Sequence, residues 1–359
     1  MKPLPKTLVV LTPAFPANES ETSWVPTQQL FVRTLKAHFP GLHIIVLTFF
    51  YPYRAVSYEW HGVQVISLNG SGRRKFRRIF FWNAVWRLLK GLRRENDIIG
   101  LFSFWCGECA LVAGHFGRWH GIRHLCWICG QDARKMNKLV KFIRPRSEEL
   151  IAMSDFLVKE FYKNHGIRSG YMISNAIDPD MFPPLASGKR DIDILGAGSL
   201  SRIKQYGLFA EVVGALRLFF PHMKSLICGE GDDRKELELY IKKNGLEDHI
   251  TLAGEKPQKE VLRLMQRAKV FLHTSSYEGF GVVCLEALYA GAHVISFCKP
   301  LDRVIPNWHV VRDKEEMTKK AHEILQDPNI EYKPVLEHTM KRTVQAVMDL
   351  FANDRLREV

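Results

Sequence analysis

The sequence predicts an α/β protein of two doubly wound domains, and three observations carry that prediction. Short β-branched runs alternate with longer helical stretches, the pattern of parallel sheets covered by helices. The chain has 359 residues, too many for one ordinary core. A turn-rich stretch at 167–184, with three prolines, interrupts the alternation, which then begins again.

In chain order, 7–13 (TLVVLTP) reads as the first strand and 26–39 as a helix with Pro26 in its first turn. Strands follow at 43–50 and 63–68, then a basic helix over 73–95, then strands at 97–105, 123–129 and 149–154. After the break come a strand and glycine turn (191–200), helix 207–220, strand and loop 224–233, and helix 234–244. Strand 249–255, helix 258–267, strand 269–275, helix 281–290 and strand 293–298 extend the second sheet. Helices at 314–326 and 335–354 close the chain. The expected division is an N-terminal domain over 1–178, a second domain over 179–334, and a C-terminal segment 335–359 whose helix returns to the first. Two such domains facing a cleft bind ligands at the carboxyl ends of their strands.

Charge narrows the partners. The net charge is +13, and residues 1–180 hold 25 Lys/Arg against 13 Asp/Glu, while 181–359 hold 26 against 25. The excess lies in the first half, which should meet something anionic. Within it, Arg73, Arg74, Lys75, Arg77 and Arg78 open a run of nine basic residues that meets no acid before Glu95, interleaved with Phe76, Phe80, Phe81, Trp82 and Trp86. Basic helices with bulky aromatics lie in lipid interfaces, so an anionic membrane surface is the expected partner. An ordinary helix with solvated arginines, or a phosphorylated soluble acceptor, would give the same composition. No stretch of 18 apolar residues predicts a membrane span. The N-terminal run lacks a small-residue cleavage site, and seven cysteines, an odd number, suit a reducing compartment. A cytoplasmic protein, peripheral on the inner face of the membrane, is expected. No aromatic–glycine RNA motif or recognition helix is visible, so nucleic acid is not an expected partner.

The densest chemistry lies in HTSSYEGFGVVCLEALYAGAHVISF (273–297). A strand empties into a Ser/Gly loop and a helix begins near Gly281, so free backbone N–H groups at that helix start, with Gly279 and Gly281 allowing close approach, can cradle an anion. Glu286 lies five residues past Gly281, roughly 7.5 Å along the helix, about the reach from a diphosphate to a ribose. Glu278, in the loop, stands on the sugar side, and a carboxylate accepts from two hydroxyls at once. A second phosphate element is GAGSLSRIKQY (196–206), where Arg202 and Lys204 can stabilise charge on a leaving diphosphate. CGEGDD (228–233) is a third, weaker glycine turn.

These segments resemble the donor domain of GT-B glycosyltransferases of family 4, retaining enzymes with an E-x7-E motif. Glu278-Gly-Phe-Gly-Val-Val-Cys-Leu-Glu286 matches that motif in type and spacing. ISNAIDPDMF (173–182) resembles the family's interdomain I-P-N-G-I-D-x-x-x-F, and GSLSRIKQY its G-[RS]-L-x-x-x-K segment. The resemblance implies a retaining hexosyltransferase that moves a sugar from a nucleotide-sugar to a glycan or lipid-linked acceptor. Lys204 would contact the diphosphate, Glu278 the sugar, Glu286 the ribose, and the amides of 279–283 sugar and phosphate. It implies no cofactor and no metal.

Three departures are visible. Ser199 stands where the family has an arginine, leaving Arg202 as the second cation. The glycine pair usual after the first strand is absent from 12–29, and CKPLDRVIPNWHVV (298–311) replaces a glycine-rich turn. At the end of strand 123–129, where many relatives carry a histidine, stands Cys129. Asp132 or Gln131 is the nearest polar substitute, and Asp132 is the candidate catalytic replacement.

Other signals have plainer readings. Cys106-x2-Cys109 and Cys126-x2-Cys129 have zinc spacing, but residues three apart on a strand face opposite sides, which favours buried thiols. Asp191-Ile-Asp193 opens a strand instead of ending one, unlike a metal-binding D-x-D. His273 reads as a core histidine. The rival functions are a catalytically inactive GT-B scaffold and a nucleic-acid binder using the basic half.

Overall fold

A computed structural model describes residues 3–22, 24–70, 72, 75–184 and 190–355. They form two compact units, Met1–Asn175 with Met340–Val359, and Ala176–Thr339.

The first unit begins β1 (Lys6–Ala14), α1 (Pro26–His38), β2 (His43–Tyr51), β3 (Val56–Trp60), β4 (Val63–Ser67), α2 (Lys75–Glu95) and β5 (Asp97–Phe104). It continues α3 (Glu108–His120), β6 (His124–Ile128), α4 (Val140–Ile143), β7 (Leu150–Ala152), α5 (Asp155–His165) and β8 (Tyr171–Met172). The sheet order is β3-β4-β2-β1-β5-β6-β7-β8. All neighbours are parallel except the β3–β4 pair. Leu8 to Leu11 and Ile44 to Leu47 are buried without a break, as strands covered on both faces require. A core of Val9, Leu11, Ile45, Leu89, Leu101 and Phe116 joins the sheet to α2 and α3.

The second unit holds β9 (Ile192–Ala197), α6 (Tyr206–Leu216), β10 (Ser225–Cys228), α7 (Arg234–Lys243), β11 (Ile250–Gly254) and α8 (Gln258–Arg267). Then come β12 (Ala268–His273), α9 (Val282–Tyr289), β13 (His293–Ser296), β14 (Trp308–Val310) and α10 (Lys314–Gln326). Its sheet is wholly parallel in the order β11-β10-β9-β12-β13-β14. Ile194, Phe209, Val213, Ile227, Val270 and Ile295 are among its core. The last helix, α11 (Met340–Arg355), belongs to the first unit and packs on α1.

The structure adds elements the sequence reading lacks. α3 has nine buried residues among thirteen, so it shows no polar stripe to mark a helix period. β3 is a short antiparallel edge strand, α5 begins at a Ser154 cap that accepts from the Leu157 amide, and β8 lies inside the stretch read as linker. The final helix starts at Met340 instead of 335. Residues 335–339 are spent on the second unit, where the Val335 amide donates to Leu288 (3.0 Å) and Thr339 pairs in parallel with Ile177.

Candidate active site

Strand order in the second sheet reverses between β9 and β12. At such a switch point the loops leaving two neighbouring parallel strands diverge and open a crevice at their carboxyl ends. The two loops here carry the residues singled out from the sequence.

The β9 loop is built on its neighbour. Gly198, Gly229 and Gly231 have φ of +147°, +146° and +159°. A Cβ at Gly229 would overlap the Gly198 carbonyl oxygen, and one at Gly231 the Leu200 carbonyl oxygen. Only glycine permits this nesting, which is sealed by Gly198 N–H to Cys228 O (2.9 Å) and Leu200 N–H to Glu230 O (2.8 Å). The CGEGDD turn therefore supports the GSLSRIK loop. On its other side that loop is laced to the β12 loop. The Lys204 carbonyl accepts from Thr274 Oγ1 (2.7 Å) and the Ile203 carbonyl from the Ser276 amide (3.0 Å). Gln205, at φ +52°, turns the chain into α6.

Lys204 Nζ is ion-paired and hydrogen-bonded to Glu278 Oε1. The same oxygen is 3.2 Å from Ser275 Oγ and 3.3 Å from His273 Nε2. Burial alone would lift the Glu278 carboxyl, but His273 and Lys204 outweigh it and hold the group at about 2. Burial pushes His273 below the usual imidazole range, and its Nε2 stands beside the carboxylate without the geometry of a hydrogen bond. The core-histidine reading of His273 is right about burial and misses this partner. Ser199 and Arg202 are exposed in the same β9 loop.

Past Glu278, Gly279 and Phe280 are buried, and Gly281 caps α9 at φ +80° with no side-chain cap. The amides of Val282 and Val283 are the first of that helix, where an anion is favoured. Glu286, one turn on and half-buried, accepts from Gln258 Nε2 (2.8 Å). Burial pushes its carboxyl up to about 7, with Gln258 opposing. Gln258, the first residue of α8, carried no sequence signal beyond following Pro257.

Asp132 belongs to the first unit and is buried. Its Oδ2 accepts from the Cys106 amide (2.8 Å), and its Oδ1 from the amides of Gly130 (2.7 Å) and Cys129 (3.1 Å). The carboxylate thus ties the loop after β5 to the end of β6. Burial raises its pKa and these amides oppose the rise.

The zinc-spaced cysteines are free and mostly buried. A hydrogen bond with Cys126 and burial push the Cys106 thiol well up, and burial does the same to Cys109 and Cys129, which disfavours thiolates. Among the described residues, no group of three or more His, Cys, Asp or Glu could hold a metal ion. Asp191 and Asp193, at the start of β9, are taken by Arg267 (2.6 Å) and Lys269 (2.7 Å). Of the basic run, Arg73 and Arg74 lie outside the described residues, as does the side chain of Lys75. Arg77 is exposed, and Arg78 pairs with Glu108 at 2.9 Å. Among the described residues no helix is long and apolar enough to cross a membrane.

Residues 178–335 match the family described as Glycosyl transferases group 1. The match lies within the second unit and takes in nearly all of it. The whole chain has the GT-B fold of two Rossmann-like α/β units. It aligns over 99% of its length with all of Anabaena HepE, solved with UDP and glucose, at a TM-score of 0.67 and 13% identity. In sequence, it is 27% identical over 270 residues to the phosphatidylinositol N-acetylglucosaminyltransferase gpi3 subunit of Schizosaccharomyces pombe, covering 71% of this chain and 59% of that one. It is 28% identical over 166 residues to a phosphatidylinositol N-acetylglucosaminyltransferase subunit of Arabidopsis thaliana, covering 45% and 37%. The chain therefore spans less than two thirds of the length of each of these relatives. The E-x7-E carboxylates and Lys204 all lie inside the matched segment.

Proposed function

We propose that this chain is a retaining glycosyltransferase that moves a sugar from a nucleotide-sugar to a glycan or lipid-linked acceptor. The observation that carries the reading is the Lys204–Glu278–His273 cluster, with Glu286 beyond it, at the switch point of a group 1 domain. Glu278 is ionised and already clamped, so sugar hydroxyls meet a fixed acceptor. Lys204, paired with Glu278, also serves the diphosphate, where charge grows as the bond from C1 of the sugar to the phosphate oxygen breaks. The amides of 279–283 hold the phosphates, Glu286 takes the ribose, and Arg202 and Ser199 complete the β9 loop contacts. No carboxylate is assigned as a covalent nucleophile. The acceptor oxygen attacks C1 on the face the diphosphate leaves, and its proton passes to a phosphate oxygen. No metal or other cofactor is required on this reading.

Asp132, with both oxygens spent on backbone amides, is proposed as a positioning residue for the strand-end loops of the first unit. The excess basic charge of α2 supports peripheral attachment to an anionic membrane, on the cytoplasmic side, and relatives named for phosphatidylinositol support a lipid-linked acceptor.

The deciding experiment is a thermal-shift panel of UDP, GDP and ADP, followed by the nucleotide-sugars of whichever binds. Occupancy at 100 times Kd should stabilise the protein by about 2.7 kcal/mol. Silence across the panel would sink the proposal, and product of inverted anomeric configuration by NMR would sink its retaining part. Flotation with anionic liposomes that high salt abolishes is the expected membrane result.

A further inference from the structure

The first unit carries a groove far from ordinary surface in character. Trp82 and Trp86 of α2, Leu111 and Val112 of α3, and Leu139 and Phe142 around α4 wall a cavity of about 1120 Å³. Its one acidic lining residue, Glu108, is buried and neutralised. One oxygen accepts from the Trp82 indole N–H (2.8 Å) and the other pairs with Arg78 (2.9 Å). Carboxylate and indole thus satisfy each other, and the rest of the lining is mainly hydrocarbon and ring, with Asn83 and His115 its other polar members besides Arg78. His115 Nε2 lies 3.1 Å from the Phe142 carbonyl and links α3 to α4.

Two of the lining residues are unusually open: Ile79 is 59% exposed and Phe142 66%, and Phe80, next to Ile79 in sequence, is 73% exposed. Beside these residues in sequence stand Arg77, Lys138 and Lys141, all exposed. Among the described residues none of the three makes an ion pair with a carboxylate, in contrast to Arg78. An apolar trough whose lining residues Arg78, Leu139 and Phe142 are each preceded in sequence by a cation without a carboxylate partner complements a molecule that has a long hydrocarbon chain and an anionic head.

We propose that the groove between α2, α3 and α4 seats the hydrocarbon chain of an anionic lipid, with Arg77, Lys138 and Lys141 around its phosphate. The inference deepens the membrane reading above: it assigns a chain-binding groove, whereas surface charge alone would hold a headgroup and leave the chains in the bilayer.

The test uses the full chain and a dodecyl phosphate brominated along its chain, kept below its micelle concentration. Bromine quenches tryptophan on contact, and Trp82 and Trp86 line the groove. Saturable quenching is expected. It should weaken at least tenfold in the double variant Ile79→Glu/Phe142→Glu, whose substituted side chains are largely exposed, with unchanged circular dichroism. A brominated dodecyl glucoside, which has the chain without the charge, should bind at least tenfold more weakly. Inorganic phosphate at the same concentration should neither quench nor compete. The proposal is overturned by absent quenching, by quenching that the double variant leaves intact, by equal quenching from the glucoside, or by competition from free phosphate. Quenching absent for lipid but produced by a brominated amphipathic helical peptide would assign the groove to a protein partner and also overturn it. Nucleoside diphosphate thermal shifts on the same samples separate the two readings. A shift without quenching removes the groove alone, and loss of both removes the transferase reading as well.

Discussion

Glu286 offers a pH experiment whose size follows from the structure. Its carboxyl, pushed up to about 7, is largely protonated at pH 6 and largely ionised at pH 8. An ionised carboxylate can accept from both ribose hydroxyls, whereas the neutral acid must spend one oxygen as a donor. If only the ionised form is competent, the apparent Kd is the intrinsic one divided by the ionised fraction. That fraction rises from about 0.09 to about 0.9 across the two pH values, so affinity should tighten about tenfold, or ~1.4 kcal/mol. Titration calorimetry of the bound nucleoside diphosphate, in two buffers of different ionisation enthalpy at pH 6, should detect release of about one proton per nucleotide. Phosphate ionisation near pH 6 adds a slope of its own, which Glu286→Gln shares and the ratio of the two proteins cancels. The same pH dependence in wild type and Glu286→Gln would refute the reasoning. The stability sign is also defined. A carboxyl raised above 4.5 contributes fully below that value and loses the contribution as pH rises through about 7. The unliganded wild type should therefore lose melting temperature relative to Glu286→Gln between pH 5 and 8.

Lys204→Ala should lower turnover about 100-fold or more while nucleotide still binds, and the acid limb of its pH profile should move upward as Glu278 loses the cation that helps hold it at about 2; unchanged single-turnover rates would remove Lys204 from the chemistry. Asp132→Asn turns one buried amide toward a donor and should cost about 1–3 kcal/mol in denaturant unfolding. Its turnover per folded molecule should hold if Asp132 only positions the loops, and a large loss would make it catalytic. Gly231→Ala adds a Cβ at the Leu200 carbonyl in a left-handed conformation, so the second unit should lose on the order of 3 kcal/mol. Nucleotide affinity should fall with it, and full affinity would show that the nested turn does not support the Lys204 loop.

The α/β alternation was legible because parallel strands buried on both faces read as unbroken apolar runs, as in Leu8 to Leu11, and because α8 and α10 have clear polar and apolar faces. α3 was not, since burial nearly all round leaves no period, and Gly114 and Gly117 lower its propensity. Both glycines have packing reasons that only the fold reveals. A Cβ at Gly117 would strike the Ile122 carbonyl, and one at Gly114 would crowd His124. At the site, Glu278, Glu286 and Lys204 were visible as a spaced pattern. Their partners His273 and Gln258 were not, because the contacts join residues whose approach depends on the loop at Tyr277 and the crossing of α8 and α9. The environment of Asp132 was hidden for a related reason: its donors are backbone amides from two loops, which leave no mark in residue type.

The Ile177–Thr339 bridge has a consequence for engineering. It holds the entry and exit of the second unit a strand's spacing apart, about 4.8 Å. On the other side of the crossings, the Thr343 hydroxyl donates to the Ser174 carbonyl at 3.0 Å. Residues 176–339 therefore form an inserted cassette whose ends meet. Such a segment can be excised and recircularised, or exchanged for that of a relative, through one short pair of splice points. The two units are then separable blocks of one gene, each able to change without re-threading the other.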